Sequence, residues 1–146
     1  MNPELLTLLN TALELEHAAA IQYFTHAQLL SGPGCEPLIA RLEDSAKDEQ
    51  AHAAKLRTLI GDYLLAVPSM GVAGTRTAGG LLDILQTNLT SEREAIVQYQ
   101  KILDWLHKAL AENNANGLPY HTLEHDIRHL LMEEQEHVAE LARLLR

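Results

Sequence analysis

The sequence has only one cysteine, Cys35, among its 146 residues. This excludes a disulfide framework within the chain and a zinc or iron–sulfur site built from cysteines. Aromatic residues make up 4% of the chain, and runs of valine, isoleucine and threonine that are typical of strands are absent. No apolar run approaches the roughly 18 residues that a membrane helix needs. These absences predict a helical protein without a membrane span.

Positive charge is also scarce. The chain has 11 lysine and arginine residues against 20 aspartate and glutamate residues, which gives a net charge of −9. It has no basic cluster, so we expect no nucleic-acid partner. The N-terminus lacks the basic and then apolar segment of a signal peptide, so we expect a cytoplasmic protein with no membrane partner. At this length we expect a single domain that spans residues 1–146.

Helix-breaking residues divide the chain into four helical segments. Asn2 and Pro3 are typical of an N-cap and a first helical position, and the Ser-Gly-Pro-Gly segment at 31–34 ends the first helix. We predict helices over about residues 3–31, 37–65, 81–112 and 120–145, with a second break at 113–119. The stretch 66–80, rich in glycine, is long enough to cross a bundle from end to end. The sequence therefore predicts an all-α four-helix bundle with a long crossover between helices 2 and 3.

Six ionisable residues fall on the apolar stripes that these helices should bury. Counting in steps of three and four residues places each of them among apolar side chains in the middle of its helix. The stripe of the second helix continues to Tyr63. The first and third helices supply one glutamate each, and the second and fourth supply a Glu-x-x-His motif, whose side chains are neighbours on a helix. The six are Glu16, Glu49, His52, Glu92, Glu134 and His137.

Two metal ions would offset the cost of burying these six groups. An unpaired buried carboxylate costs several kcal/mol, and the four stripes contain no lysine or arginine to pair with it. Four carboxylates carry four negative charges, which two divalent cations balance, and neutral imidazole completes the ligand set. Such ligands suit iron and manganese and, to a lesser degree, zinc. The sequence therefore predicts a dinuclear metal site inside the bundle, with all six residues as ligands.

Four further residues stand close to this set. Asp48 and Glu133 each precede a ligand glutamate, and each could accept the ring N–H of the histidine in the other motif. Tyr23 and Tyr99 follow the single glutamates by seven residues, which places them on the same helical face. We expect each tyrosine to fill the core and hydrogen-bond a ligand carboxylate, and an added role as one-electron donor is the alternative.

Two other histidine patterns are interpreted differently. Glu14 and His17 repeat the Glu-x-x-His spacing, but Glu14 lies on the face opposite the buried stripe, so we expect this copy to be solvated. His121, His125 and His129 recur every four residues on the outer face of the last helix. We interpret this row as a solvated or subunit-facing stripe, with a surface transition-metal site as the alternative.

The chain resembles the ferritin-like di-iron proteins, most of all bacterioferritin, over all four helices. The resemblance is densest in the first helix, at Leu9-Asn10, Glu16, Gln22-Tyr23-Phe24 and His26-Ala27. It implies a ferritin-like fold and two iron ions per chain, with manganese or zinc as alternatives. It also makes the six candidate ligands the counterparts of the family's ferroxidase residues and Tyr23 the counterpart of its site tyrosine.

Three departures limit what the resemblance implies. Gln50 stands where bacterioferritin has its haem-binding methionine, so we expect no haem. The chain ends at Arg146, before the short fifth helix that helps ferritin shells to close, so we expect a homo-oligomer that is a dimer built on the first two helices rather than a closed shell. The glycine-rich middle loop does not match the family's crossover. The rubrerythrins offer a second comparison, and Ala95 stands where their third helix carries an additional glutamate.

The function that this resemblance implies is oxidation of iron. We predict a ferroxidase-type enzyme that binds Fe(II) at the six-ligand centre and oxidises it with O2 or peroxide. A non-redox module for iron storage or metal binding is one alternative. A small di-metal oxidase or peroxidase of the rubrerythrin type, acting on another substrate, is the other.

Overall fold

Four long helices account for most of the computed structural model, which describes residues 2–112 and 119–146. They are α1 (Pro3–Leu29), α2 (Glu36–Thr58), α3 (Leu81–Ala111) and α4 (Tyr120–Leu144). The four predicted helices are confirmed, and their ends differ from the prediction by a few residues. Residues 113–118 of the predicted second break lie outside the described residues. In the part of the chain that is described, none of the helices has the length and hydrophobicity of a membrane span.

The start of α1 follows its sequence signals. The Asn2 side-chain oxygen accepts hydrogen bonds from the backbone N–H groups of Glu4 and Leu5, at 2.8 and 3.3 Å. Pro3 occupies the first helical position, where its missing N–H leaves no intrahelical bond unmade. The predicted N-cap is therefore confirmed.

The end of α2 differs from the prediction. After Thr58 the chain makes one π-helical turn, Leu59–Tyr63, and the N–H of Leu64 bonds the carbonyl of Leu59 at 3.2 Å. The wider turn brings Leu59 and Leu64 to the same face, and both are buried. Tyr63, predicted on the buried stripe, is 45% exposed. Leu65 then ends the helix in the left-handed region, at φ 54°.

The crossover at residues 64–80 carries the chain along α1 from one end of the bundle to the other. The N–H groups of Ser69, Ala73 and Arg76 donate in turn to Asn10 Oδ1, the Glu14 carbonyl and Gln22 Oε1, at 2.8, 3.1 and 2.8 Å. Because these α1 partners advance with the loop, α3 begins at the end of the bundle where α1 finishes. The closest helix packing is between α1 and α2, α3 and α4, and α1 and α3. The predicted bundle with one long crossover is confirmed.

A closed ring of hydrogen bonds fastens this crossover at Arg76. The Arg76 N–H donates to the Gln22 side chain, whose amide donates to Asn88 Oδ1 at 3.1 Å. The Asn88 amide donates to His26 Nδ1 at 2.8 Å, and His26 Nε2 donates to the Arg76 carbonyl at 3.0 Å. The ring joins α1, α3 and the loop, and the side chains of Gln22, His26 and Asn88 are buried.

The apolar core lies on both sides of a central polar layer. The larger part surrounds the N-terminal half of α1 and includes Leu5, Leu9, Leu13, Leu56, Ile60, Ile102, Leu106 and Ile127. The opposite end is filled by two smaller clusters, which include Leu42, Ala46, Ile84, Leu85, Leu89 and Leu141. On every helix the predicted ligands fall between these two parts of the core. The candidate centre is therefore shielded from water by apolar layers at both ends.

Candidate metal centre

All six predicted site residues meet at the central layer of the bundle. Each helix contributes from its middle, because the apolar stripe that packs the helix also turns these positions inward. Their exposed fractions run from 0 to 7%, which is rare for ionisable side chains. The residues are Glu16 from α1, Glu49 and His52 from α2, Glu92 from α3, and Glu134 and His137 from α4.

The six side chains form two adjoining groups that share two glutamates. One group consists of Glu16, Glu49, His52 and Glu134, and the other of Glu49, Glu92, Glu134 and His137. Within each group, one potential ligand atom from every residue lies within 4.8 Å of the others. Glu49 and Glu134 belong to both groups, so they lie between two positions that could each hold a metal ion.

The two histidines turn the same ring nitrogen toward the centre. His52 Nδ1 lies 2.6 Å from Glu134 Oε1 and 3.2 Å from Glu16 Oε2. His137 Nδ1 lies 3.0 Å from Glu49 Oε1 and 3.4 Å from Glu92 Oε2. The rings stack with their centroids 6.2 Å apart. The pair therefore presents one nitrogen to each of the two groups of carboxylates.

The outward nitrogens of both histidines contact carboxylates at the surface. His52 Nε2 donates to Glu133 Oε2 at 2.5 Å, and His137 Nε2 donates to Asp48 Oδ2 at 3.0 Å. Each carboxylate comes from the helix that carries the other motif, so the contacts cross between α2 and α4. A proton held on Nε2 leaves the lone pair of Nδ1 directed at the centre, which is the tautomer that a metal requires.

The two tyrosines fix the single glutamates across the bundle. The Tyr23 hydroxyl on α1 donates to Glu92 Oε1 on α3 at 2.9 Å, and the Tyr99 hydroxyl on α3 donates to Glu16 Oε1 on α1 at 3.0 Å. Burial raises the pKa of both phenols well above its usual value, and the nearby carboxylates raise it further. Both hydroxyls therefore stay protonated and hold one oxygen of each glutamate in place.

Burial and mutual repulsion act strongly on the shared glutamates. Burial raises the pKa of Glu49 well above its usual value, and the charges of Glu16 and Glu92 add to the effect. Burial also raises the pKa of Glu134, with the charges of Glu16 and Glu49 acting in the same direction. Without a cation these two carboxyls therefore tend to take up protons.

The histidines respond in the opposite sense to the same charges. Burial alone would lower the pKa of His52, but the close contacts and negative charges of Glu134 and Glu16 outweigh it and raise the pKa to about 11. Burial opposes protonation of His137 as well, yet Glu92 and Asp48 raise its pKa to about 9. Protons thus occupy the metal-free centre in place of other cations.

The carboxylate oxygens and imidazole nitrogens of this layer fit a pair of metal ions. Six buried atoms make no hydrogen bond of regular geometry, although Glu134 Oε1 lies 2.6 Å from His52 Nδ1 and Glu49 Oε1 lies 3.0 Å from His137 Nδ1. They are both carboxylate oxygens of Glu49 and of Glu134, Glu92 Oε2 and His137 Nδ1. Unpaired buried polar atoms are costly and uncommon in folded proteins. All six belong to the two groups described above, and carboxylate oxygen with imidazole nitrogen is a ligand set of iron, manganese and zinc. Two divalent cations would satisfy these atoms and balance the four carboxylate charges.

The third Glu-x-x-His copy has a different role from the one expected. Glu14 and His17 are partly buried, not solvated, because the crossover lies over them. Glu14 accepts a hydrogen bond from the Ser69 hydroxyl, and His17 Nδ1 lies 2.7 Å from the Gly71 carbonyl. The loop contacts were missed because the partners lie more than fifty residues away and the loop has no periodic pattern. This copy remains outside the two metal-binding groups.

The ring around His26 was also missed by the sequence reasoning. Gln22, His26 and Asn88 are buried polar residues that could have been noticed as polar positions among apolar neighbours. Nothing in the sequence, however, pairs them with a backbone group in a glycine-rich loop. They belong to the attachment of the crossover and not to the metal centre.

Fold and site together define a class of protein. A four-helix bundle with one long crossover, a glutamate on each of two helices and Glu-x-x-His on the other two is the arrangement of the di-metal carboxylate proteins. The comparison with family models agrees: the chain belongs to the ferritin-like domain family, whose model matches residues 6–146. No curated protein sequence matches the chain significantly.

Solved structures support the same fold. A Bacillus anthracis str. Ames structure, described as that of ferritin-like, diiron-carboxylate proteins, has a TM-score of 0.87 and 28% identity, over 100% of both chains. Bacterioferritin from Rhodobacter capsulatus, solved with a metal-free dinuclear site and haem iron, has a TM-score of 0.86 and 21% identity. That match covers 99% of this chain and 85% of the bacterioferritin chain. The second similarity, at its lower identity, is evidence for the fold alone.

Proposed function

We propose that this protein is a ferroxidase that binds two Fe(II) ions per chain as substrate and oxidises them with O2 or peroxide. Glu16 and His52 complete one metal position, and Glu92 and His137 complete the other. Glu49 and Glu134 contribute to both positions. Oxidation removes one electron from each Fe(II), and O2 or peroxide accepts the pair.

The residues of the chain hold this substrate pair in a fixed and dry environment. Glu133 and Asp48 keep the two imidazoles in the tautomer that binds metal, and Tyr23 and Tyr99 hold the single glutamates. Tyr23 acts in this proposal as a positioning residue, since its hydroxyl contacts Glu92 and its pKa is raised. The fixed donor atoms lower the cost of rearrangement when the charge of the bound ions changes.

The observation that carries the proposal is the set of potential metal-ligand atoms in the buried layer that lack a regular hydrogen bond. A bundle stabilised by packing alone would place apolar side chains there, because leaving so many polar atoms without partners costs free energy of folding. The Bacillus anthracis relative, described as a diiron-carboxylate protein, supports iron as the metal. Oxidation rather than simple retention of iron is the part that needs an experiment.

The experiment is aerobic addition of Fe(II) to the metal-free protein, followed by ferric absorbance. We expect rapid oxidation in the parent and a rate at least about tenfold lower in Glu92→Gln, since lost ligand-site contacts commonly cost that much. Glu94→Gln is the matched control, because Glu94 lies on the same helix with a side chain 43% exposed. Equal rates in the parent and in Glu92→Gln would exclude this centre as the site of oxidation.

We also propose that the protein assembles as a homodimer built on its first two helices, through the face where the crossover lies against α1 and α2. Ile21, Met70 and Val72 are 48, 92 and 48% exposed and line one surface pocket of about 540 Å3. Exposed apolar side chains gathered around one pocket favour association with a second protein surface. A symmetric dimer would cover the same patch on both chains, since an isologous interface uses one surface twice.

A further inference from the structure

Two exposed histidines on α4 stand next to each other in the structure. The rings of His125 and His129 have their centroids 4.6 Å apart at an angle of 51°. Both side chains are exposed, and residues four apart on a helix are neighbours on its surface. Two imidazoles at this spacing can share one divalent transition metal ion, for which neutral imidazole is a good ligand.

A carboxylate holds the first of these rings. Asp126 Oδ1 lies 3.2 Å from His125 Nδ1, and its other oxygen pairs with Lys55 Nζ of α2 at 3.2 Å. The Asp126 side chain is only 15% exposed, so it is a fixed acceptor rather than a mobile surface group. Donation from Nδ1 leaves Nε2 of His125 free to bind metal, which is how carboxylates orient ligand histidines in metal sites.

The second ring, His129, lines a pocket that reaches a residue of the bundle centre. This pocket of about 360 Å3 is also lined by Asp48, Glu133, Glu136 and His137. Asp48 and Glu133 are the carboxylates that contact the outward nitrogens of the two site histidines. Positions 125, 129, 133 and 137 are spaced four residues apart, so the row of donor side chains winds from the surface of α4 to the buried layer.

We propose that His125 and His129 form a surface site for one divalent transition metal ion, and that this site supplies the bundle centre through the pocket lined by Glu133 and Asp48. Metal binding at the histidine pair is independent of the proposed ferroxidase function. The supply role rests on that function, because it requires the bundle centre to accept the ion.

Metal binding at His125 and His129 is tested with Co(II) alone under argon. Native mass spectrometry counts the bound ions, and titration of the visible absorbance gives their affinity. We expect the double variant His125→Ala/His129→Ala to bind one Co(II) per chain fewer than the parent. His121→Ala is the matched control, since it removes an exposed histidine of the same row one turn earlier. We expect Asp126→Asn to bind the surface ion about tenfold more weakly or worse, as expected for a carboxylate that orients a ligand histidine.

The difference of one ion is expected whether or not the bundle centre binds metal, so a failure of the ferroxidase proposal can be told apart from a failure of this one. Equal number and affinity of Co(II) ions in the parent and the double variant would overturn the surface site. The same loss in His121→Ala would overturn its assignment to His125 and His129.

The proposed supply of metal from the surface site is tested by the rate at which Co(II) fills the buried centre after rapid mixing. We expect filling of the double variant to slow by about tenfold, the low end of the gain that a cleft attracting its ligand gives to association rates. The final occupancy of the centre should equal that of the parent. An unchanged filling rate, with the surface ion lost, would refute the supply role and leave a metal site without that role.

Discussion

At the scale of single residues, the two site histidines depend on carboxylates that are not themselves ligands. Glu133 and Asp48 have side chains 55 and 59% exposed, yet each contacts a nearly buried ring. A carboxylate in this position fixes the tautomer of the imidazole and raises its basicity toward a metal. The surface residues of α2 and α4 therefore take part in the chemistry of the interior.

Replacing Glu133 by glutamine should weaken metal binding at the position that contains His52. The amide keeps the size of the side chain but removes the charge, so we expect an affinity for Zn(II) about tenfold lower or worse. Isothermal titration calorimetry of the metal-free protein measures this affinity. Glu136→Gln is the control, because Glu136 is exposed and lies one turn later on the same helix. Identical affinities in the parent and Glu133→Gln would show that this carboxylate does not position His52.

At the scale of elements, the crossover is held by polar contacts rather than by a hydrophobic face of its own. The buried ring of Gln22, His26 and Asn88 satisfies both backbone groups of Arg76. Burial lowers the pKa of His26, and its Nδ1 accepts a hydrogen bond, so the neutral ring is the form that fits. Position and direction of the loop thus follow from a few directional bonds between α1 and α3.

Asn88→Ala should destabilise the fold by about 2–3 kcal/mol, because it leaves buried partners on Gln22 and His26 without a hydrogen bond. Urea denaturation of the metal-loaded protein gives this free energy of unfolding. Gln86→Ala, exposed on the same helix, should change it by less than about 0.5 kcal/mol. A cost for Asn88→Ala as small as that of the control would mean that the ring contributes little to stability.

At the scale of the whole molecule, a charged layer divides the apolar core, so stability depends on what neutralises that layer. In the metal-free state protons do so, and the pKa values of His52 and His137 rise to about 11 and about 9. The folded protein then holds more protons than the unfolded chain, whose histidines have a pKa of about 6.5. This stabilisation is complete below about pH 6.5 and is lost as pH rises through the two folded values.

Raising the pH should therefore destabilise the metal-free protein and strengthen the effect of metal. Between about pH 7 and pH 9 we expect the metal-free form to lose about 2 kcal/mol per pH unit, because two histidines are protonated in the folded chain and largely neutral in the unfolded one. Metal binding displaces the protons, so the added stability from Zn(II) should grow over the same range. Thermal unfolding with and without Zn(II) measures both. A metal-free midpoint that stays level or rises with pH would contradict the proposed protonation of the centre.

The proposed dimer also belongs to this scale. Ile21→Glu should weaken association by about tenfold or more, since it places a charge in the apolar patch that the two chains would share. Val97→Glu is the matched control, because Val97 is 56% exposed on α3, outside the patch. Sedimentation of the metal-free protein over a range of concentrations measures the dissociation constant. Association that survives Ile21→Glu unchanged would place the interface elsewhere.

The sequence by itself determined the features that arise from local patterns. Helical periodicity predicted four helices, and glycine and proline marked the crossover. The same periodicity identified six ionisable residues on buried stripes, because a residue that interrupts an apolar face must be buried with it. The positions of Asp48 and Glu133 beside the ligand glutamates made them candidate partners of the site histidines, and the structure shows the contacts.

Tertiary structure decided the features that join distant parts of the chain. Asn88 meets His26 across 62 residues, and His52 meets Glu133 across 81, and no local pattern specifies such a contact geometry. Because of the π-helical turn after Thr58, Leu64 is buried in the core and Tyr63 is exposed. Packing at that end of the bundle overrides the regular helical phase that predicted the reverse. The approach of the α4 histidine row to the pocket beside Asp48 likewise exists only once α2 and α4 lie side by side.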